Sequence, residues 1–252
     1  MHESVYAGAS FGGAGKDRIS KMKVKILRQQ APFTESYWET FDADVPGDMS
    51  VAALIDYLNY RDDIVDENGK KTTRIGWECS CLQGVCGSCA MVINDVPALA
   101  CETFVKDMRG DVLTIRPLRK FPVIHDLVVD RSQIQENLKQ TDVCIGEYQP
   151  DFSKDEKKSK KEHALQYAIA KCLKCGLCLE VCPNYVNGKT FYGALFANDC
   201  YLVASRNKEK AAGISSQYAE HFGNACSKSL SCMDVCPMKI PTIAAMAAMS
   251  RG

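Results

Sequence analysis

The sequence lacks several features that would assign it to common functional classes. Its 31 Lys and Arg residues are balanced by 31 Asp and Glu residues, so it has no basic field to attract nucleic acid. It contains no run of 18 apolar residues, and we therefore expect no transmembrane segment of its own. No positively charged N-terminal segment precedes an apolar stretch, so we expect no secretory signal.

Cysteine, in contrast, is abundant, with 14 among 252 residues. Disulfide frameworks are typical of short secreted domains, whereas here many of the cysteines cluster with two to four residues between them. A bridge from Cys172 to Cys175 would close a very short loop, which is the geometry of a redox motif and not of a structural staple. Soft thiolates at these spacings suit zinc or iron–sulfur clusters. The cysteine pattern therefore predicts metal binding.

The first half of the chain has the patterns of an α+β fold. Residues 50–59 fit a helix with Ser50 as N-cap and with Leu54, Tyr57 and Leu58 on one face. We predict a mostly antiparallel sheet packed on this helix. Its strands are expected at 21–27, Tyr37–Asp42, Ala90–Ile93 and Val112–Arg116.

After Pro122 the sequence favours helices. Helical periodicity covers Asp126–Leu138, and an Ala- and Met-rich helix opens near Pro241. We predict a flexible tail at 1–20, a domain at 21–125 and a mainly helical domain at 126–252. The charged run around 150–163 is interpreted as a solvated linker or insertion.

The first cysteine group has the spacing of a plant-type [2Fe–2S] site. Cys81-x4-Cys86-x2-Cys89 matches this pattern, and Cys101 follows after one short strand and turn. Cys79 is the alternative first ligand, but the four-residue spacing favours Cys81. A zinc ribbon is the other metal alternative, although it normally has two Cys-x2-Cys knuckles and only one is present here.

Seven further cysteines have the spacing of two cubane clusters. The first block reads Cys172-x2-Cys175-x2-Cys178-x3-Cys182-Pro183, and the second reads Cys226-x5-Cys232-x3-Cys236-Pro237. In the bacterial ferredoxin run the fourth cysteine of a block serves the other cluster. The predicted ligands are therefore Cys172, Cys175, Cys178 and Cys236 for a [4Fe–4S] cluster, and Cys182, Cys226 and Cys232 for the other cluster.

The second of these sets has one cysteine too few. Ser229 stands three residues after Cys226, where a symmetric pair of cubanes has a fourth cysteine. A serine hydroxyl is a poor ligand for a soft metal at neutral pH. The sequence thus predicts a [3Fe–4S] cluster with an empty corner at Ser229, and a [4Fe–4S] cluster bound by serine or solvent is the alternative.

Taken together, these motifs resemble the iron–sulfur subunit of succinate dehydrogenase and fumarate reductase. The resemblance covers about residues 21–250. It is carried by Cys81–Cys101, by Phe121-Pro122-Val123-Ile124-His125-Asp126-Leu127-Val128-Val129-Asp130 and by both Cys-Pro blocks. It implies a β-grasp plant-type [2Fe–2S] ferredoxin domain followed by a mainly α-helical, bacterial-type two-cluster ferredoxin domain.

The resemblance also implies partners. It predicts an FAD-containing flavoprotein that interconverts succinate and fumarate, and a membrane anchor or cytochrome b subunit that holds quinone; haem b on that anchor is left open. Electrons would run through [2Fe–2S], [4Fe–4S] and [3Fe–4S] to quinone, on the cytoplasmic side of the inner membrane. The chain has no dinucleotide fingerprint, in agreement with flavin held elsewhere.

Two positions depart from the family. Some members contact quinone through a histidine just after the first cysteine of the last block and a tryptophan soon after the first Cys-Pro, and here Ser227 and Asn187 stand there. Quinone contacts are therefore not assigned to this chain. Alternative functions are the same module serving a glycolate- or thiol-linked reductase, a soluble electron carrier, or a structural cluster as in some nucleic-acid enzymes. A structural role needs only one cluster, and the sequence has no basic patch for nucleic acid, so the last alternative is disfavoured.

Overall fold

The computed structural model of the chain describes residues 19–144 and 159–250. The predicted tail at 1–20 and the charged run around 150–163 therefore lie largely outside the described residues. The strands are β1 Ile19–Arg28, β2 Tyr37–Pro46, β3 Ala90–Ile93, β4 Val96–Leu99, β5 Val112–Arg116, β6 Val123–His125 and β7 Val128–Val129. The α-helices are α1 Val51–Asn59, α2 Ser132–Gln140, α3 Lys160–Ala170, α4 Leu177–Glu180, α5 Gly193–Ala204, α6 Lys208–Tyr218, α7 Ser231–Asp234 and α8 Thr242–Met249.

A five-stranded sheet forms the centre of the first half, in the order β2-β1-β5-β3-β4. Neighbouring strands are antiparallel except β1 and β5, which run parallel. In β1, lysines alternate with Met22, Val24 and Ile26, whose side chains are buried. Because successive side chains of a strand point to opposite faces, this alternation sets the core face of the sheet. The predicted α+β class is confirmed.

Helix α1 begins at the predicted N-cap, where Ser50 Oγ accepts a hydrogen bond of 3.1 Å from the Ala53 N–H. Its buried residues are Val51, Ala52, Leu54, Ile55 and Leu58. The prediction that Tyr57 shares this face is wrong, because Tyr57 is 42% exposed. The buried face is centred between Leu54 and Ile55, and Tyr57 lies beyond its edge on a 3.6-residue helix.

A hairpin of β6 and β7 occupies residues 123–129, where the sequence pattern predicted the start of a helix. Helix α2 instead begins at Ser132. Leu127 fits the helical period of Ile134 and Leu138, which explains the wrong prediction. It is buried as part of the hairpin instead. Asp126, at the turn, has a φ of +48° that an α-helix does not allow.

The hairpin is attached to the sheet through the buried carboxylate of Asp126. It accepts hydrogen bonds from the N–H groups of Gln29, at 3.0 Å, and Gly76, at 2.8 Å. It also forms an ion pair of 3.0 Å with Arg28 Nε, and both side chains are only 1% exposed. Buried charges require such pairing, so the contact fixes the hairpin against β1.

The second half is helical and is built around α5. This helix is buried along nearly its whole length and packs against α3, α4, α6 and α8. The short helices α4 and α7 each follow a cysteine loop. None of the helices in residues 19–144 and 159–250 has the length and apolar character needed to cross a membrane.

The two halves share one hydrophobic core. The ring of Phe121, from the first half, lies 6.0 Å from the ring of Tyr185. The buried carboxylate of Glu180 in α4 accepts hydrogen bonds of 2.8 Å from Arg119 Nε and 3.0 Å from the Lys120 N–H. The cysteine loops of the two halves are therefore held in one packed structure.

Candidate metal centres

The β3–β4 hairpin brings two of the first four cysteines together. Cys89 immediately precedes β3, and Cys101 lies two residues after the end of β4 in a turn of 3₁₀ helix. The Ala100 N–H donates to the Cys89 carbonyl at 3.0 Å. This pairing leaves Cys89 Sγ and Cys101 Sγ 3.4 Å apart, with both residues buried.

The loop before β3 carries Cys81 and Cys86 and turns its N–H groups toward sulfur. The Gln83 N–H points to Cys81 Sγ at 3.4 Å, and the Gly84 N–H points to Cys101 Sγ at 3.3 Å. Hydrogen bonds from the backbone of Cys81 and from Ser88 lower the pKa of Cys86 to about 6. Donors of this kind stabilise the thiolate relative to the thiol, and the thiolate is the form that binds iron.

Cys101 has the opposite shift. Burial, followed by the neighbouring Cys89 thiol, raises its pKa to about 12. An anionic sulfur at this buried position therefore requires a compensating positive charge. The donor chemistry of the four cysteines fits an iron centre, which supplies such charge to its thiolate ligands.

The second cysteine set surrounds a small, partly enclosed cavity. Its lining includes all four predicted ligands, Cys172, Cys175, Cys178 and Cys236, together with Cys232. Burial raises the pKa of Cys175 to about 11, and that of Cys178 well above its usual range. As with Cys101, thiolates here depend on a bound cation.

The third set surrounds a separate, small cavity. Cys182, Cys226 and Cys232 line it, and so does Ser229. The Lys228 N–H points to Cys226 Sγ at 3.4 Å. Cys232 lines both this cavity and the second one, so the two cavities are neighbours across the start of α7.

The second and third loops have left-handed residues at two equivalent positions. Two residues after the first cysteine, Lys174 and Lys228 have φ values of +54° and +57°. Four residues after it, Gly176 and Leu230 have φ values of +86° and +61°. In this shared frame Ser229 occupies the position that Cys175 occupies in the second loop. Ser229 thus stands where the second loop has a thiol, and it supplies a hydroxyl.

The first and second loops are in direct contact. A β-carbon added to Gly87 would lie 2.7 Å from the Cys175 β-carbon. The guanidinium of Arg131 donates to the carbonyls of Gly87 at 3.1 Å, Cys175 at 3.3 Å and Ser88 at 3.3 Å. No sequence pattern points to Arg131, because a single arginine at the start of a helix belongs to no motif.

A buried ion pair lies behind the second loop. Lys174 Nζ contacts the two carboxylate oxygens of Asp199 in α5 at 2.5 and 2.6 Å. The Asp199 side chain is fully buried and that of Lys174 is largely so. Although burial alone would lower it, the pKa of Lys174 is raised by Asp199 and nearby thiols. This pair also had no signal in the sequence.

The remaining cysteines, Cys79, Cys144 and Cys200, are not among the predicted ligands. Cys79 is exposed, Cys144 is half-buried, and Cys200 is buried within α5. Of the two positions that depart from the quinone-binding pattern, Ser227 donates to Asn184 Oδ1 at 2.6 Å, and Asn187 Oδ1 accepts from the Tyr185 hydroxyl at 2.9 Å.

Among residues 19–144 and 159–250, no group of three or more His, Cys, Asp or Glu side chains is arranged to hold a single metal ion. The thiols of the second and third sets instead line the walls of cavities. Ligands of a cluster stand farther apart than ligands of one ion, because iron and sulfide lie between them. Cavities lined by several thiols have the donor chemistry that iron–sulfur clusters require.

Comparisons with known proteins give a consistent result. A family described as "2Fe-2S iron-sulfur cluster binding domain" matches residues 23–136. The succinate dehydrogenase iron-sulfur subunit of Bacillus subtilis is 30% identical over 232 residues, which are 90% of this chain and 90% of that protein. The fumarate reductase iron-sulfur subunit of Haemophilus influenzae is 28% identical over 246 residues, which are 89% of this chain and 90% of that protein.

A solved structure, the Mycobacterium smegmatis Sdh1 complex in the apo form, contains a chain with the same fold. The TM-score is 0.75 at 24% sequence identity, over 92% of this chain and 95% of that chain. A crystal structure of a hypothetical protein from Helicobacter pylori matches with a TM-score of 0.55 at 13% identity, over 94% of this chain and 40% of that one.

Proposed function

Since the chain belongs to the family of succinate dehydrogenase and fumarate reductase iron–sulfur subunits, we propose that it relays electrons between a flavoprotein and quinone in such a complex. The flavoprotein partner holds FAD and interconverts succinate and fumarate. A membrane anchor holds the quinone, with or without haem b. This chain contributes no residue to substrate chemistry, in line with the absence of a dinucleotide fingerprint from its sequence.

The proposed ligands follow from three separate cysteine sets. Cys81, Cys86, Cys89 and Cys101 hold [2Fe–2S] in a β-grasp domain at 21–125. In the helical domain at 126–252, Cys172, Cys175, Cys178 and Cys236 hold [4Fe–4S], and Cys182, Cys226 and Cys232 hold [3Fe–4S]. The equivalence of Ser229 to Cys175 in the backbone supports an open corner in the last cluster.

The observation that carries the proposal is the serial arrangement of these sets. The first and second loops touch through Gly87 and Cys175, and the second and third cavities share Cys232. When bound, the clusters supply one-electron carriers whose potentials depend on cluster type, charge and hydrogen bonding. The chain's own contribution is to hold three ligand sets next to one another in a rigid core.

The ends of this series are the proposed docking sites for partners. Leu82 and Val85 are exposed in the first loop. Leu230, which lines the third cavity, and Val186, two residues after its lining residue Asn184, are exposed as well. Exposed apolar side chains at such positions suit protein interfaces. We assign the first pair to the flavoprotein and the second to the anchor, on the cytoplasmic side of the inner membrane, with quinone contacts supplied by the anchor.

Purification of the tagged chain from its native membrane tests the proposal. We expect a flavoprotein and an anchor to co-purify with succinate–quinone oxidoreductase activity. Reduced samples should give [2Fe–2S] and [4Fe–4S] EPR signals, and oxidised samples a [3Fe–4S] signal. A chain that carries its clusters but purifies alone would indicate a soluble carrier. Co-purification with a flavoprotein that ignores succinate and fumarate would favour another oxidoreductase, such as a glycolate- or thiol-linked one.

A further inference from the structure

The side chain of Arg131 contacts both the first and the second cysteine loop. Its guanidinium donates to two carbonyls of the first loop, those of Gly87 and Ser88, and to one of the second, that of Cys175. It also forms an ion pair with Glu78. The side chain is 19% exposed, so these contacts are shielded from solvent more than those of a surface ion pair.

The backbone of Arg131 is itself held in place. Arg131 is the N-cap residue of α2. On its N-terminal side, the Asp130 N–H donates to the Pro122 carbonyl at 2.8 Å. Asp130 Oδ1 accepts from the Ser132 N–H, also at 2.8 Å. The guanidinium therefore reaches the two loops from a fixed point that belongs to neither.

The contact needs arginine. The planar guanidinium presents five N–H donors in a rigid fork, whereas lysine has one rotatable ammonium. The two terminal nitrogens of the Arg131 guanidinium reach three backbone carbonyls and the Glu78 carboxylate at once. A charged donor strengthens each of these hydrogen bonds, so together they can hold two segments that are joined by no strand pairing.

We propose that Arg131 is a positioning residue that clamps the [2Fe–2S] loop onto the [4Fe–4S] loop and so fixes the separation of the first two clusters. The proposal rests on the proposed function for the identity of those loops. Gly87 permits the close approach, and Arg131 holds it. Without the clamp, the first loop remains anchored to β3 but moves relative to Cys175.

Hydrogen exchange of the full-length chain in its complex tests the clamp. We compare the wild type with R131M, R131K and the control R116M. The control removes another ion-paired arginine, because Arg116, the last residue of β5, pairs with Asp95. In R131M, amides at 84–89 and 173–178 should exchange about tenfold faster. R131K should be intermediate, and R116M should leave both loops unchanged. Unchanged exchange in either loop of R131M would overturn the proposal, as would equal acceleration throughout the sheet.

EPR supplies a second measurement of the same contact. In fully reduced wild-type protein, the second cluster should speed the spin relaxation of the first, and R131M should weaken this effect. Wild-type relaxation in R131M would contradict the clamp. If R131M fails to fold, R131K and E78Q replace it in the test. Faster exchange in both loops of these variants supports the proposal, and unchanged exchange overturns it. Wild-type protein that lacks the [2Fe–2S] and [4Fe–4S] EPR signals would refute the proposed function. The hydrogen-exchange comparison would still test whether Arg131 holds the two loops together.

Discussion

Gly87 of the first cysteine loop lies against Cys175 of the second, with so little space that a β-carbon on Gly87 would come within 2.7 Å of the Cys175 β-carbon. Gly87 is also in the left-handed region, at a φ of +80°. Both conditions exclude larger residues. This contact joins two cysteine loops whose touching residues are more than eighty positions apart in the sequence.

Substitution G87A should therefore be costly. The left-handed conformation alone costs an alanine about 1–2 kcal/mol, and overpacking adds about 1–3 kcal/mol. The control is G110A, which has the same strain, at a φ of +82°, but open space around the new methyl group. Thermal unfolding should show a clearly lower midpoint for G87A than for G110A. Equal midpoints would mean that the two loops separate at little cost.

Cys81 and Cys79 compete for the role of first ligand. Cys81 Sγ accepts from the Gln83 N–H, whereas Cys79 is exposed. We expect C81S to alter or abolish the [2Fe–2S] EPR signal of the reduced protein, and C79S to leave it unchanged. The reverse result would reassign the ligand.

Ser229 should be the position that limits the third cluster to three irons. Substitution S229C places a thiol at the equivalent of Cys175, so we expect the [3Fe–4S] signal of the oxidised protein to disappear and the iron content to rise by one per chain. The matched control is S231C, whose hydroxyl lies only 3.4 Å from that of Ser229 but at a different loop position. A wild-type protein without the [3Fe–4S] signal would instead indicate a serine- or solvent-bound [4Fe–4S] cluster.

The ion pair between Lys174 and Asp199 should stabilise the fold. Substitution D199N leaves the Lys174 ammonium without its countercharge, and breaking a buried pair costs about 3–5 kcal/mol. For a chain of this size each 1 kcal/mol shifts the unfolding midpoint by about 2–4 °C, so a fall of roughly 10 °C is expected in thermal unfolding. The double variant K174M/D199L should recover most of it. A midpoint for D199N equal to that of the wild type would show that the pair contributes nothing.

Features set by local chemistry could be predicted from the sequence. The N-cap at Ser50 and the burial of Leu54 and Leu58 follow from helical periodicity. The cysteine spacings selected the sets that line the second and third cavities, because a short loop determines its own geometry. The family resemblance is confirmed by relatives that match about 90% of the chain.

Features set by tertiary contacts could not be predicted. Strand β4 contains Pro97 and exists because it pairs with β3. The helix predicted from Asp126 starts six residues later, because a buried carboxylate holds Asp126 in a turn. Arg131 acts on carbonyls 44 residues away in either direction, and no local pattern encodes such a contact.

The buried pair of Arg28 and Asp126 limits how the first half could be used as an independent fragment. A fragment ended at residue 125, at the predicted domain boundary, would keep every strand of the five-stranded sheet but lose this carboxylate. Arg28 would then retain Glu39 as its remaining acidic partner, and the N–H groups of Gln29 and Gly76 would lose their acceptor. A transplantable [2Fe–2S] unit must therefore extend through β7, to residue 129 or beyond.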